Sequence, residues 1–272
     1  LLPRWRALTD VEHDMISRIM QTLEVTRKSG AIVHCITNYV AATDSANALL
    51  AVGATPVMAD CPYECGDITR RSRALLLNMG TFSEEHYEAF KSSAEAALEI
   101  GIPFVLDPVG LSASGYRQKC FQEIVPSRCP SVIKCNLSEA YTVACLAKVK
   151  AGSPLEMCQK IACKLNCAVM ITGSDDYISD GINSCILHGG TAKLTKVTGT
   201  GCVTGALTAA FLSAADRLTA CITAAALMKT CGVIAEEKSG NGLQTFRTKL
   251  YDGLSEVGEN EIRRCIEIES VK

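Results

Sequence analysis

Lys193-Leu-Thr-Lys-Val-Thr-Gly-Thr-Gly-Cys-Val-Thr-Gly-Ala-Leu207 is the stretch from which the fold of this chain is read. Lys193 to Thr198 alternates β-branched or apolar residues with polar ones, which predicts a half-buried strand ended by Gly199-Thr200-Gly201. From Cys202 to Ala215 the residues are small and apolar with Gly205 as the one breaker, predicting a buried helix that starts at the glycine turn. Backbone N–H groups at such a start are free, glycines let an anion approach them, and the helix dipole favours negative charge there. The unit is a candidate anion site with a thiol in its first helical turn. A thiolate is stabilised at that position, so Cys202 is a candidate base or nucleophile, with a packed core cysteine as the plainer alternative. The glycine spacing is one residue too long for a dinucleotide fingerprint, and the Gly-Lys-Ser/Thr of a P-loop is missing.

Working outward, strand followed by glycine or polar stop recurs along the chain. Ala31–Ile36 runs into Thr37 and Asn38, Thr55–Met58 stops at Asp60, and Ala74–Leu77 stops at Asn78 and Gly80. Phe104–Leu106 stops at Asp107-Pro108, Val132-Ile133 at Lys134 and Asn136, and Val169–Ile171 at Thr172-Gly173. A helix over 9–28, carrying Val11, Met15, Ile19, Leu23 and Val25 near helical spacing, precedes the first strand. Helical patterns at 43–52, 83–100, 116–125, 137–149 and 153–166 separate the strands, which predicts a mostly parallel sheet covered by helices. After residue 200 the chain reads as nearly all helical, with helices at 217–236 and 245–257. Ligands of such sheets bind beyond the carboxyl ends of the strands, so Asn38, Met58, Gly80, Asp107, Asn136, Glu139, Thr172 and Gly199 are expected on one rim.

The 272 residues have no linker-like stretch and read as one domain, with residues 1–10 left as a flexible N-terminal extension. With 48% apolar and 21% charged residues the chain can build a large core, and its formal charge of -2 argues against nucleic acid as a partner. Fifteen cysteines, among them Cys145, Cys158, Cys163, Cys221 and Cys231, fall mostly inside apolar periodic segments and read as reduced core residues of a cytosolic protein. Cys61/Cys65 and Cys163/Cys167 have spacings a zinc ion could use, but the chain has only four histidines and neither pair has a histidine-rich partner. No signal peptide or uninterrupted apolar run of membrane length is read, so neither a membrane nor a secreted location is expected.

Asn136-x-x-Glu139 places a carboxylate one turn into a helix, where it can hold Mg²⁺ through water or simply cap the helix with Asn136. Together with Asp107 and the Gly-Thr-Gly-Cys turn, this rim suggests phosphoryl transfer, in which a protein mostly positions groups and neutralises charge.

Five segments then follow one family's pattern in order. They are Val33-His-Cys-Ile-Thr-Asn38, the run from Ala46-Asn47 through Gly53 and Pro56 to Met58, Asn78-x-Gly80-Thr81, Leu106-Asp-Pro-Val-Gly110, and Thr195-Lys-Val-Thr-Gly-x-Gly-Cys202. Over about residues 30 to 255 the chain resembles hydroxyethylthiazole kinases of the ribokinase-like superfamily. The resemblance implies a three-layer α/β fold and phosphorylation of 4-methyl-5-(2-hydroxyethyl)thiazole by ATP with Mg²⁺ in thiamine salvage. It also implies a cytoplasmic homotrimer with thiazole pockets between subunits. By the same resemblance Asn38, Val40, Met58, Gly80 and Gly199 would contact the thiazole alcohol, and Cys202 would be the base on its hydroxyl. Lys134, Asn136, Thr172, Thr200 and Gly201 would face ATP, and Asp107 and Glu139 would be the magnesium-side acids.

The chain departs from that pattern at several places. Lys134-Cys135 replaces an Arg-Gly pair, Arg73 stands where a small residue is usual, and Gly242–Phe246 replaces a tighter Gly-Ser-Phe ending. The glycine-rich link after the fifth strand is shortened to Lys148–Ser153. A kinase for hydroxymethylpyrimidine or pyridoxal would share the anion site and differ around Asn38 and Met58, and a binding homologue without turnover is a further alternative.

Overall fold

Residues 10–271 are described by a computed structural model. Helix α1 (Asp10–Ser29) leads into β1 (Ile32–Ile36), α2 (Ala42–Ala51), β2 (Thr55–Val57), α3 (Cys65–Arg70) and β3 (Ala74–Asn78). There follow α4 (Glu84–Ile100), β4 (Phe104–Asp107), α5 (Gly115–Arg128), β5 (Val132–Asn136), α6 (Leu137–Leu146), α7 (Pro154–Leu165) and β6 (Ala168–Thr172). The chain then forms β7 (Asp176–Ser179), β8 (Ser184–Gly189), α8 (Thr200–Leu212), α9 (Arg217–Ser239), α10 (Leu243–Glu256), α11 (Glu259–Cys265) and β9 (Ile266–Val271).

The strands form one nine-stranded sheet in the order β2-β1-β3-β4-β5-β6-β7-β8-β9. The order from β2 to β6 is parallel, and β6 to β9 is antiparallel. Because side chains alternate across a strand, β3 sends Leu76 into one apolar cluster with α1, α2, α8, α9 and α10, and sends Leu75 and Leu77 into a second with α4, α5, α6 and α7. The result is a helix–sheet–helix sandwich: the helix-covered sheet that the alternating pattern predicts, in the three-layer α/β form that the family resemblance implies. Register sets the rim: Asn78 lies beside Asp107, and Asn136 beside Thr172, at the carboxyl ends of their strands.

Several expectations are corrected. Residues 193–198 are not a strand; Ala192–Lys196 is a 3₁₀ turn. The physical reason is Lys193, whose side chain is buried instead of facing water as the alternation requires. Its Nζ donates to Ser239 Oγ at 2.9 Å and to the Gly240 carbonyl, and lies over the Phe246 ring. Helix α8 begins two residues earlier than read, at Thr200, and ends at Leu212. The part after residue 200 is nearly all helical as read, and the strand not foreseen there is β9, which closes the sheet against β8. Met15, Ile19 and Leu23 of α1 are buried as expected, but Val25 is exposed, and the side chain of Val11 lies outside the described residues. The extension expected over 1–10 falls on residues outside the description except for Asp10, which opens α1. Among the described residues one helix, α9, is long and apolar enough to cross a membrane, yet the window that qualifies is 94% buried inside the fold.

Candidate active site

The glycine turn is capped by backbone alone. Gly199 is the N-cap of α8 with φ +86°, and no side chain caps the helix, so the first-turn N–H groups keep donors for something else. Cys202 sits in that first turn, half-buried, with Asn38 Nδ2 donating to its Sγ at 3.2 Å.

Asn38 is in turn held from both ends. Its Oδ1 accepts the Ala41 N–H at 3.0 Å, and its Nδ2 also donates to Asn78 Oδ1 at 2.9 Å. Asn78 passes the network on: Oδ1 accepts the Gly80 N–H at 3.0 Å, and Nδ2 donates to Asp107 Oδ2 at 2.7 Å. Lys134 Nζ lies 3.4 Å from both Asp107 carboxylate oxygens. A continuous polar line thus runs from the thiol through two amides to a buried ion pair. Close packing of this line uses glycines: a methyl group on Gly80 would meet Asn38 at 2.7 Å, one on Gly201 would meet Lys134 Nζ at 3.2 Å, and one on Gly205 would meet Asp107 Oδ2 at 3.2 Å.

Burial dominates the electrostatics. It pushes the Asp107 carboxyl up to about 6, against the pull of Lys134, with Glu139 adding to the rise. At Lys134 burial opposes the charge, but Asp107, Cys202 and Glu139 together hold the ammonium above its ordinary range. Burial and then Asp107 push the Cys202 thiol up, against Lys134, Asn38 and Asn78. This corrects the expectation from the helix N-terminus alone, which had the thiolate more available than in a free peptide. The helix start is real, but the desolvation of a thiol beside a carboxylate outweighs it.

Glu139 sits where the capping motif places it. Asn136 Oδ1 accepts the Glu139 N–H at 2.9 Å, and the Glu139 carboxylate accepts the N–H of Asn136 at 2.9 Å and of Gly110 at 3.0 Å. Both carboxylate oxygens are therefore already engaged by backbone donors. Among the described residues no group of three or more His, Cys, Asp or Glu is placed to hold a metal directly.

On the other side of the glycine turn a cavity of about 470 Å³ opens. Asn136, Thr172, Thr200 and Gly201 line it, together with Leu194, Ala225, Met228 and Lys229. Thr200 Oγ1 donates back to the Leu194 carbonyl at 3.1 Å and Thr172 Oγ1 to the Cys135 carbonyl at 3.3 Å. The expected residues therefore fall into two groups that meet at α8: Asn38, Gly80, Asp107 and Lys134 around Cys202, and Asn136, Thr172, Thr200 and Gly201 on the cavity. Val40 and Met58 lie on the open side, 54% and 38% exposed.

Two features escaped the sequence reading. Asn78 is read there as the polar stop of a strand and as part of the Asn78-x-Gly80-Thr81 segment, with no role given to its side chain, although it is the hub of the network; the spacing of two from Gly80, whose N–H it binds, is the signal that could have given it one. Lys229 and Asp176 on the cavity also escaped, because a single lysine in a long helix reads as its solvent face.

The model of the hydroxyethylthiazole kinase family matches residues 23–260. The chain belongs to the hydroxyethylthiazole kinase family. The hydroxyethylthiazole kinase of Clostridium botulinum (strain Alaska E43 / Type E3) is 37% identical over 274 residues, covering 95% of this chain and 99% of that one. The structure of a hydroxyethylthiazole kinase protein from Pyrococcus horikoshii OT3 superposes with a TM-score of 0.90 at 34% identity, covering 94% of this chain and 100% of that one. The pyridoxal kinase of Staphylococcus aureus, solved with AMP-PCP and pyridoxal, shares the fold with a TM-score of 0.61 at 16% identity, covering 88% and 98%. As a member of the hydroxyethylthiazole kinase family the chain is a kinase with the ribokinase-like fold.

Proposed function

We propose that this kinase transfers the γ-phosphoryl group of ATP to the hydroxyl of 4-methyl-5-(2-hydroxyethyl)thiazole, in the salvage of thiamine. The observation that carries the reading is the junction at α8: one uncapped helix start separates a thiol-bearing polar network from a cavity large enough for a nucleotide. The alcohol lies on the Asn38, Val40, Met58, Gly80 and Gly199 side and ATP on the Asn136, Thr172, Thr200 and Gly201 side, with Lys134, packed between Asp107 and Gly201 at the junction, toward the ATP phosphates.

In the reaction the alcohol oxygen attacks the γ-phosphorus, the bond from that phosphorus to ADP breaks, and the hydroxyl proton leaves to Cys202. Asn38 points an N–H at the sulfur and so favours its anionic form, while Lys134 adds positive charge nearby. The N–H groups of the first turn of α8 and Lys134 face the charge of the transferring group.

A divalent cation fits this donor set. Asp107 is a fully buried carboxylate with a raised pKa, which a cation would favour in its charged form, and Glu139 lies close enough to raise it further. With both Glu139 oxygens on backbone donors, Asp107 and Glu139 would hold Mg²⁺ through water and not as a protein cage, and the chemistry the ion would supply is neutralisation of phosphate charge.

An ADP-release assay tests the function, run on the thiazole alcohol, hydroxymethylpyrimidine and pyridoxal, with calorimetric binding of each. Turnover is expected with the thiazole alcohol. Turnover confined to either other alcohol, or binding of all without turnover, replaces this reading.

The protein acts in the cytoplasm as a homotrimer, with the thiazole pocket at a subunit boundary. What supports assembly is the apolar surface of the unit from β1 to the loop after β2, where Tyr39, Val40, Leu50, Met58 and Tyr63 are exposed beside the candidate pocket. Light scattering is expected to give three times the chain mass; a monomer at micromolar concentration rejects the assembly.

A further inference from the structure

Lys229 stands in the middle of α9 and is 4% exposed, on the wall of the cavity. Its Nζ reaches the carbonyl oxygens of Ser174 at 2.7 Å, Gly189 at 3.2 Å and Gly173 at 3.4 Å, and lies 3.6 Å from Asp176 Oδ1. The same Asp176 Oδ1 accepts the Gly173 N–H at 2.9 Å. An ammonium has three donors, so these oxygens saturate it, and no donor is left for a phosphate. The cation acts on the protein instead.

Those carbonyls belong to two backbone segments that both line the cavity and meet at the ammonium, the turn after β6 and the end of β8. In a planar trans peptide the N–H lies opposite the carbonyl, so turning these carbonyls to the ammonium turns the N–H groups of Ser174, Asp175 and Gly190 to its other side. Gly190 closes the clasp: φ is +86°, and a methyl group there would meet Lys229 Cγ at 3.0 Å. One helix side chain therefore sets the separation and the peptide orientation of both segments.

We propose that Lys229, with Asp176, is a positioning residue of the nucleotide cavity that clasps the Gly173–Asp175 and Gly189–Gly190 segments in the shape ATP binds. The proposal rests on the cavity being the ATP side of the site. Lys229→Met keeps the length of the stem and removes the ammonium, leaving the carbonyls without their shared donor.

The test compares wild type, Lys229→Met and Gly190→Ala by calorimetric titration with ATP and by steady-state kinetics. Lys229→Met is expected to weaken ATP binding and raise the ATP KM by about 10-fold or more, with the KM for the thiazole alcohol within about two-fold of wild type. Gly190→Ala, a substitution in a surface segment that pushes on the lysine stem, is expected to show the same split. Wild type that binds no ATP rejects the assignment of the cavity and with it this proposal. Wild type that binds, beside a Lys229→Met variant of equal affinity, rejects the clasp alone, as does a loss that strikes both substrates equally. Should Lys229→Met fail to fold, Gly190→Ala decides: unchanged ATP affinity overturns the proposal, and a selective loss for ATP supports it.

Discussion

Cys202→Ala is expected to lower kcat by about 10²–10⁴-fold, the usual contribution of a positioned general base, while leaving the KM for the thiazole alcohol nearly unchanged. Forming a phosphate ester from an alcohol releases one proton, and the sulfur is the titratable atom of the glycine turn. The value should lie toward the lower end, because burial and Asp107 keep the thiol protonated more than in a free peptide. Binding of the alcohol rests on Asn38, Gly80 and their neighbours, which the substitution leaves in place. Cys202→Asp is expected to retain substantial activity, since a carboxylate can take the same proton. Steady-state kinetics with both variants decides the matter. Full turnover in the alanine variant would reduce Cys202 to packing and move the search for the base to the Asn78–Asp107 end of the network.

Asp107→Asn should be the most damaging of the conservative changes. It keeps the shape and an acceptor for Asn78, but it removes the charge that faces Lys134. Losing a preorganised electrostatic group typically costs about 10²–10³-fold, and kcat/KM for ATP is expected to fall by that amount. It also leaves the Lys134 ammonium, 4% exposed, without its anion; such a loss destabilises a fold by roughly 3–5 kcal/mol, so thermal unfolding should move down as well. A second signature separates chemistry from stability. Burial pushes the Asp107 carboxyl up to about 6, so wild-type kcat/KM for ATP should fall as pH drops through that range and the carboxylate becomes neutral. That acid limb should be missing from Asp107→Asn. A limb that persists unchanged in the variant would assign it to some other group.

The parallel half of the fold was legible because each buried strand is an apolar run broken by a polar or glycine residue, as at Leu106-Asp107 and Ile171-Thr172. Parallel strands covered on both faces write themselves that way. The antiparallel half was not. Strands β7 and β8 mix Asp176, Ser179, Ser184 and His188 into short segments, and β9 alternates Ile266 and Ile268 with Glu267 and Glu269 in a region that otherwise reads as helix. Around Lys193 a correct period-two pattern gave the wrong element, since the pattern assumes that lysines face water and this one is anchored inside. The members of the site were legible through motif order, and their connections were not. Nothing in the spacing of Asn38, Asn78 and Asp107 says that two amides join the thiol to the carboxylate, because that line crosses three strands. The helix-start argument for Cys202 was sound as local physics and was outweighed by burial, a quantity set by packing from elsewhere in the chain.

The two outer strands of the sheet carry a consequence for colloidal behaviour. At one border β2 is three residues long and contains Pro56, which has no N–H to offer a neighbour. At the other, β9 places Glu267 and Glu269 between its apolar residues, with Glu269 met by His188 at 3.3 Å. Short length, a missing donor and repeated carboxylates each discourage a foreign strand from adding on, so neither border templates edge-to-edge growth. Copies of this chain then join through side-chain surfaces and not by strand addition, and high concentration should not favour cross-β fibrils.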